Sequence, residues 1–109
     1  MSVSIDHISV YLPECILTNA KLSAELETPE EQIYKNTKIH KRYLSGVDEL
    51  SSDMAVKASE ILFSEKNIDK SEVDFLIFCS EGFDYIAPAT SCIIQHRLGL
   101  STSIGCFDL

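Results

Sequence analysis

Five consecutive apolar residues, Phe75-Leu76-Ile77-Phe78-Cys79, constrain this chain more than any other stretch. A strand that is apolar at every position has no face to give to water, so it needs cover on both sides. That is the situation of a central strand in a parallel sheet, and it predicts helices around it. The flanking sequence supplies them. Upstream, Ser51-Ser52-Asp53 opens a helix on which Ala55, Ala58 and Leu62 share one face, with Asp53 suited to the positive end of the dipole. It ends near Lys66-Asn67. Downstream, a loop from Ser80 to Ala87 leads to Pro88, which starts a helix carrying Ala89, Cys92, Ile93 and Ile94, with Gly99 as its stop. Ser103 to Leu109 then reads as another strand, through Ile104, Gly105, Cys106 and Phe107.

The N-terminal stretch from Val3 to Leu12 also alternates. Val3 and Ile5 lie in one phase and Ile8, Val10 and Leu12 in the other, so a bulge at Asp6-His7 is expected. Pro13 ends it. The stretch that follows is mostly polar. Asn19 is expected to cap a short helix through Leu26. Thr28 caps a second, with Pro29 in the first helical position and Glu31 completing a capping box. Residues 45–51 read as a loop containing Gly46. The expected architecture is α/β, in the order β-α-β-α-β, with a mainly parallel three-stranded sheet and right-handed crossovers.

Length and charge exclude several functions. The chain has 109 residues, enough for one small domain. Its 9 Lys+Arg face 17 Asp+Glu for a net charge of −8, which argues against a nucleic-acid partner, because phosphates need a basic face. No apolar run approaches the roughly 20 residues of a membrane span, and no basic stretch followed by an apolar core opens the chain. A cytoplasmic protein without a membrane partner is expected. Cys15, Cys79, Cys92 and Cys106 form no C-x-x-C pair and no metal-type spacing, so reduced, buried thiols are expected, with no metal and no bound cofactor. His7, His40 and His96 read as structural or surface residues. No G-x-G-x-x-G or P-loop follows a strand. One local feature runs against the overall charge. Lys35, Lys38, Lys41 and Arg42 put four of the nine basic residues into a short stretch. Such a patch suits a phosphate or an acidic carrier protein. The alternative is a solvated face with Arg42 in a structural ion pair.

Several strings match one family in the same order. Tyr11-Leu12-Pro13-Glu14 followed by Thr18-Asn19, and Thr37-Lys38-Ile39-His40-Lys41-Arg42, resemble the opening and the T-G-I-x-x-R motif of β-ketoacyl-(acyl-carrier-protein) synthase III. Ser52-Asp53-Met54-Ala55 and Val73-Asp74-Phe75-Leu76-Ile77 fit its second helix and following strand. Pro88-Ala89-Thr90-Ser91-Cys92-Ile93-Ile94-Gln95 and Leu98-Gly99-Leu100 fit its P-x-x-x-C-x-I-Q helix, and Phe107-Asp108-Leu109 looks like the strand before its nucleophile. The resemblance implies a partial thiolase-like fold, with residues 1–109 forming the N-terminal part of the first of two similar halves. The implied reaction is a decarboxylating Claisen condensation of an acyl thioester primer with malonyl-ACP in fatty acid biosynthesis, in which a Cys thiolate takes the acyl group and His and Asn assist. None of those three residues falls within the matched positions. The nucleophile would lie roughly five residues beyond Leu109, and Cys79, Cys92 and Cys106 read as core. A fragment of this kind is expected to be inactive. A secondary-metabolite ketosynthase, a 3-hydroxy-3-methylglutaryl-CoA synthase-like parent, or a non-catalytic dimerisation module are the alternatives.

The resemblance also implies binding positions. Thr28 and Thr37 match residues that contact coenzyme A, although Thr28 reads equally as a helix cap. Gln32 and Asn36 stand where many relatives carry a Trp and an Arg. An amide neither stacks like an indole nor neutralises phosphate like a guanidinium, which opens ACP-delivered or unusual primers beside acyl-CoA. Ala87 matches an acyl-pocket position that is often Phe, and a smaller residue there favours longer or branched primers. The strand 103–109 is expected to pair with its own copy across a twofold axis, giving a homodimer or higher homo-oligomer, with acyl carrier protein as the partner of the parent enzyme.

Overall fold

The computed structural model describes residues 2–109. The chain divides into two compact units, Leu12–Asp48, and Met1–Tyr11 together with Glu49–Leu109.

In the smaller unit, β1 (Cys15–Thr18) pairs antiparallel with β2 (Lys41–Leu44), with Ile16 opposite Tyr43 and Leu17 opposite Arg42. Two short helices lie between them, α1 (Asn19–Leu26) and α2 (Glu30–Thr37). Their caps differ from the expected ones. Thr18, not Asn19, caps α1, its Oγ1 accepting from the Lys21 N–H at 3.3 Å. Asn19 is thereby the first helical residue and is buried. The capping box of α2 does not form. The Thr28 hydroxyl turns back to donate to the Leu26 carbonyl, while the Pro29 carbonyl takes the first helical bonds from Gln32 and Ile33. Ile33 is buried in this unit, as is Pro13.

The larger unit holds α3 (Ser51–Lys66), β3 (Phe75–Phe78), α4 (Thr90–Leu98) and β4 (Gly105–Asp108), with a single 3-10 turn at Lys70–Glu72 before β3. Strands β3 and β4 are direct parallel neighbours in the register Phe75↔Gly105 to Phe78↔Asp108. The pairing continues past the strands, with the Leu109 N–H donating to Phe78 and the Ser80 N–H to Leu109. Val56 of α3, Ile94 and Leu98 of α4, and Leu100 form the buried cluster, with Leu76, Phe78, Phe63 and Ile104 packed against it. The buried line of α3 thus runs through Ser52 and Val56 rather than being centred on Ala55, Ala58 and Leu62. Gly99 ends α4 at φ 66°, a left-handed conformation that a side chain disfavours.

Two expectations about the sheet are corrected. Val3 to Leu12 forms no strand, and the described residues contain two two-stranded sheets, not one three-stranded parallel sheet. Alternation alone does not make a strand; the backbone needs a ladder partner, and here this segment bonds to α3 through side chains instead. Ser9 donates to the Ala58 carbonyl at 2.7 Å, and Tyr11 donates to Glu49 at 2.6 Å. Lys57 bonds both Tyr11 and Glu49, and these contacts raise its pKa. Strand β3 is covered on one face only: Leu76 and Phe78 meet the core, while Phe75, Ile77 and the neighbouring Phe107 are more than half exposed. The helices on either side of the apolar run in sequence, α3 before it and α4 after it, both pack on the same face.

Helix α4 begins at Thr90, two residues later than Pro88 would suggest. Ala89 is extended, and the first two amides of the helix are held from a distance by Asp108. The cysteines are free thiols as expected but are not core: Cys15, Cys79 and Cys92 are exposed and Cys106 is half-buried.

Candidate functional site

A cavity of about 780 Å³ opens at the carboxyl ends of β3 and β4. Ligands in α/β sheets gather at this end, where loops diverge from the strands. Phe78, Cys79, Asp108 and Leu109 form the strand side, and Phe83, Tyr85, Ile86 and Ala89 the loop side. The lining is predominantly apolar, with Ser80 and Glu81 as polar groups. Ala87 stands between the lining residues Ile86 and Ala89 and joins Pro88 through a cis peptide.

Three carboxylates tie the elements of the larger unit together, and one of them, Asp108, lines the cavity. Asp108 accepts from the Thr90 and Ser91 N–H groups, each at 2.7 Å, fixing the N-terminus of α4 to the end of β4. Burial pushes the Asp108 pKa up, but the Ser91 side chain and the Ser91 and Thr90 N–H groups together outweigh it and leave it below the ordinary carboxyl value. Asp84 fastens the loop to the N-terminus of α3. Its Oδ1 accepts from the Ser51 hydroxyl at 2.7 Å and the Ser52 N–H at 3.3 Å, and its own N–H donates to Thr90 Oγ1. Burial again works against ionisation here, and the serine donors prevail. Asp53 accepts from the Leu50 N–H at 2.8 Å and pairs with Arg97 at 2.7 Å, so its pKa is also lowered, first by the Leu50 bond. Arg97 additionally donates to the buried Ser52 hydroxyl.

In the smaller unit, Pro29, Glu31, Gln32, Lys35 and Asn36 line a second, shallower concavity of about 350 Å³. Lys35 therefore shares a surface with both departures noted in the sequence, Gln32 and Asn36. Thr37 is engaged within the unit. Its hydroxyl donates to the Ile33 carbonyl at 2.8 Å and accepts from the Ile39 N–H at 3.2 Å. Arg42 donates to Asn19 Oδ1 at 2.8 Å and to Thr37 Oγ1 at 3.5 Å, so neutral oxygens hold it rather than a carboxylate. Lys38 lies over the Tyr34 ring, which stacks on His40 at 4.3 Å, and Lys41 lies over Tyr43. Thr28 lies beside Pro29, outside the residues lining the concavity.

Among the residues that shape the two sites, Asp84, Arg97 and Ser52 were not singled out by chemistry in the sequence. Their partners are distant along the chain, and no local spacing marks them. Among the described residues no group of three or more His, Cys, Asp or Glu can hold a metal ion, and no helix is long and apolar enough to cross a membrane.

No protein-family model matches the chain. Individual relatives do. The β-ketoacyl-(acyl-carrier-protein) synthase III of Fusobacterium nucleatum is 36% identical over 108 residues, covering 99% of this chain and 33% of that protein. The enzyme of the same name from Chlamydia trachomatis is 39% identical over 108 residues, with the same coverage. A 3-oxoacyl-(acyl-carrier-protein) synthase III crystal structure superposes with a TM-score of 0.84 at 36% identity, over 94% of this chain and 31% of the other. The chain is a homologue of β-ketoacyl-(acyl-carrier-protein) synthase III. The synthase III structure from Thermus thermophilus agrees, at a TM-score of 0.81 and 35% identity, again over 94% of this chain and 31% of the other. The chain thus spans about a third of the length of the synthase III relatives it matches. These likenesses give the thiolase-like α/β fold its basis and favour synthase III over the ketosynthase, 3-hydroxy-3-methylglutaryl-CoA synthase and non-catalytic alternatives.

Proposed function

We propose that this chain supplies one third of a cytoplasmic condensing enzyme, which joins an acyl thioester primer to malonyl-ACP with loss of carbon dioxide. The observation that carries the reading is the match to synthase III along nearly the whole chain, in sequence and in backbone.

Each concavity has a part in this reading. The apolar cavity between Phe78, Leu109 and the loop 79–89 receives the acyl chain of the primer. Burial of an alkyl chain there draws on roughly 25 cal/mol per Å² of apolar surface. Ala87 beside it leaves room that a larger side chain would fill, which favours longer or branched primers. The surface around Lys35, Lys38, Lys41 and Arg42 meets the phosphate of the pantetheine arm or the acidic face of the carrier protein. Thr28 and Thr37 flank that path, with Thr37 holding the α2 terminus and Arg42 in position. Gln32 and Asn36 give this surface amides in place of a stacking ring and a second cation, which suits delivery by a carrier protein over binding of free coenzyme A. The strand 103–109 belongs in this reading to a twofold contact with a second copy.

A chimera tests the proposal. The matching third of the Fusobacterium nucleatum enzyme is replaced by this chain, and condensation of an acyl primer with malonyl-ACP is assayed. Turnover by a folded, dimeric chimera is the expected result. A folded dimer that binds malonyl-ACP but forms no product with any primer would overturn it. In the active chimera, joint replacement of Lys35, Lys38 and Lys41 by Ala should raise KM for the carrier-bound substrate with kcat little changed. Ala87→Phe should shift preference toward shorter primers.

A further inference from the structure

Tyr11 is the last residue of the larger unit before the chain enters the smaller one, and Glu49 is the first after it returns. Their side chains are bonded, the Tyr11 hydroxyl donating to Glu49 Oε1 at 2.6 Å. Lys57 of α3 completes the group. Its ammonium donates to Tyr11 Oη at 2.9 Å and to Glu49 Oε1 at 2.5 Å, and lies 4.6 Å from the centre of the Tyr11 ring. The Glu49 side chain is only 13% exposed, and a carboxylate so far out of water needs such partners. Within the smaller unit, the β1–β2 ladder closes with Cys15 opposite Leu44. Residues 12–14 and 45–48 alone separate that last rung from the bonded pair.

We propose that Tyr11, Glu49 and Lys57 form a clasp that opens and closes together with the β1–β2 ladder, coupling the folding of the smaller unit to the seating of the N-terminal segment on α3. Closing the clasp across an unfolded stretch 12–48 carries the closure entropy of that whole stretch. With the ladder formed, only the two short flanks remain to be ordered. The scaling of closure entropy with loop length makes this a difference of roughly tenfold in the closure equilibrium. The segment before Tyr11 has little else to hold it. It forms no strand, and Ser9 fastens it to α3 by one bond, to the Ala58 carbonyl at 2.7 Å. A folded smaller unit therefore presents Tyr11 to Glu49 and Lys57, and the closed clasp in turn resists opening of β1 from β2, since coupling between two equilibria is reciprocal. The inference rests on bonds within each unit and on the chain that joins them, and is independent of the condensing-enzyme reading.

Amide hydrogen exchange on the full chain tests the clasp. Tyr11→Phe removes the hydroxyl and keeps the ring. Amides of β1 and β2 should then exchange roughly threefold to tenfold faster, the effect of one hydrogen bond. Lys57→Met removes two bonds and should act in the same direction and further. Asn19→Ala loosens the smaller unit without touching the clasp, and should speed cleavage within residues 5–11 by proteinase K, mapped by mass. Asp108→Asn weakens the larger unit away from the clasp and should leave β1 and β2 exchange unchanged. Unaltered β1 and β2 rates in both clasp variants, or unaltered cleavage in Asn19→Ala, would overturn the proposal. So would an equal acceleration of β1 and β2 by Asp108→Asn, which would make the whole chain open as one with no special part for the clasp.

Discussion

Both carboxylate oxygens of Asp108 are occupied by helix α4, one by the N–H of Thr90 and the other by the N–H of Ser91, each at 2.7 Å. A helix start leaves its first amides without partners, and a residue next to the helix in sequence usually provides for them. Here the last turn of the sheet does so, and the end of β4 and the start of α4 form one unit. Asp108→Asn keeps the shape but can accept only one of the two bonds. Loss of about 1–2 kcal/mol of stability is expected, read by urea unfolding followed by circular dichroism.

The same carboxylate, with Asp53 and Asp84, sets the acid limit of the fold. All three have pKa values lowered in the folded chain from the ordinary 3.8. The unfolded chain therefore binds protons more readily as acid is added. Their contribution is complete well above pH 3.8 and is lost as pH falls through the lower folded values. An acid titration should show stability declining below about pH 4, with a shallower decline for Asp108→Asn. An unchanged slope in that variant would remove Asp108 from the account.

Arg97 connects the last turn of α4 to the first turn of α3, through Asp53 at 2.7 Å and the Ser52 hydroxyl at 3.0 Å. The ion pair is partly exposed and contributes little by itself; the bond to buried Ser52 adds to it. Arg97→Ala is expected to cost about 1 kcal/mol, and Arg97→Lys to recover part of it. A double-mutant cycle with Asp53→Asn separates the two partners, and equal losses in both backgrounds would show that no coupling exists.

Buried Asn19 joins three segments of the smaller unit. It donates to the Ile39 carbonyl at 2.7 Å and accepts from Arg42 at 2.8 Å. Asn19→Ala leaves a carbonyl and a guanidinium without these partners, and about 2–3 kcal/mol of destabilisation is expected. Hydrogen exchange at β2 reports it. Protection at β2 equal to that of the unaltered chain would be incompatible with this role.

Much of the larger unit was legible locally. The apolar run of β3, the Ser51 start of α3 and the Gly99 stop of α4 each follow from residues within one turn or one strand. The N-terminal segment was not, because alternation in Val3 to Leu12 specifies a face but not a partner, and side-chain bonds to Ala58 and Glu49 are distant along the chain. The strands β1 and β2 escaped for the opposite reason: at four residues each they carry too short a period to register. The basic stretch from Lys35 to Arg42 was visible as charge, but the sequence could not separate Arg42, tied to Asn19 and Thr37, from Lys35 in its concavity. Asp84 was missed because its partners Ser51 and Ser52 are more than thirty residues away.

Among the described residues each of the four α-helices ends on a left-handed residue, yet only α4 ends on glycine. Glu27, Lys38 and Asn67 hold φ values of 49°, 59° and 50° with side chains attached. A side chain in that conformation costs roughly 1 kcal/mol relative to glycine, less for Asn. Three helix ends are therefore open to improvement by single substitutions that leave the core intact. An engineer seeking a hardier version of this chain would begin at Glu27 and Lys38.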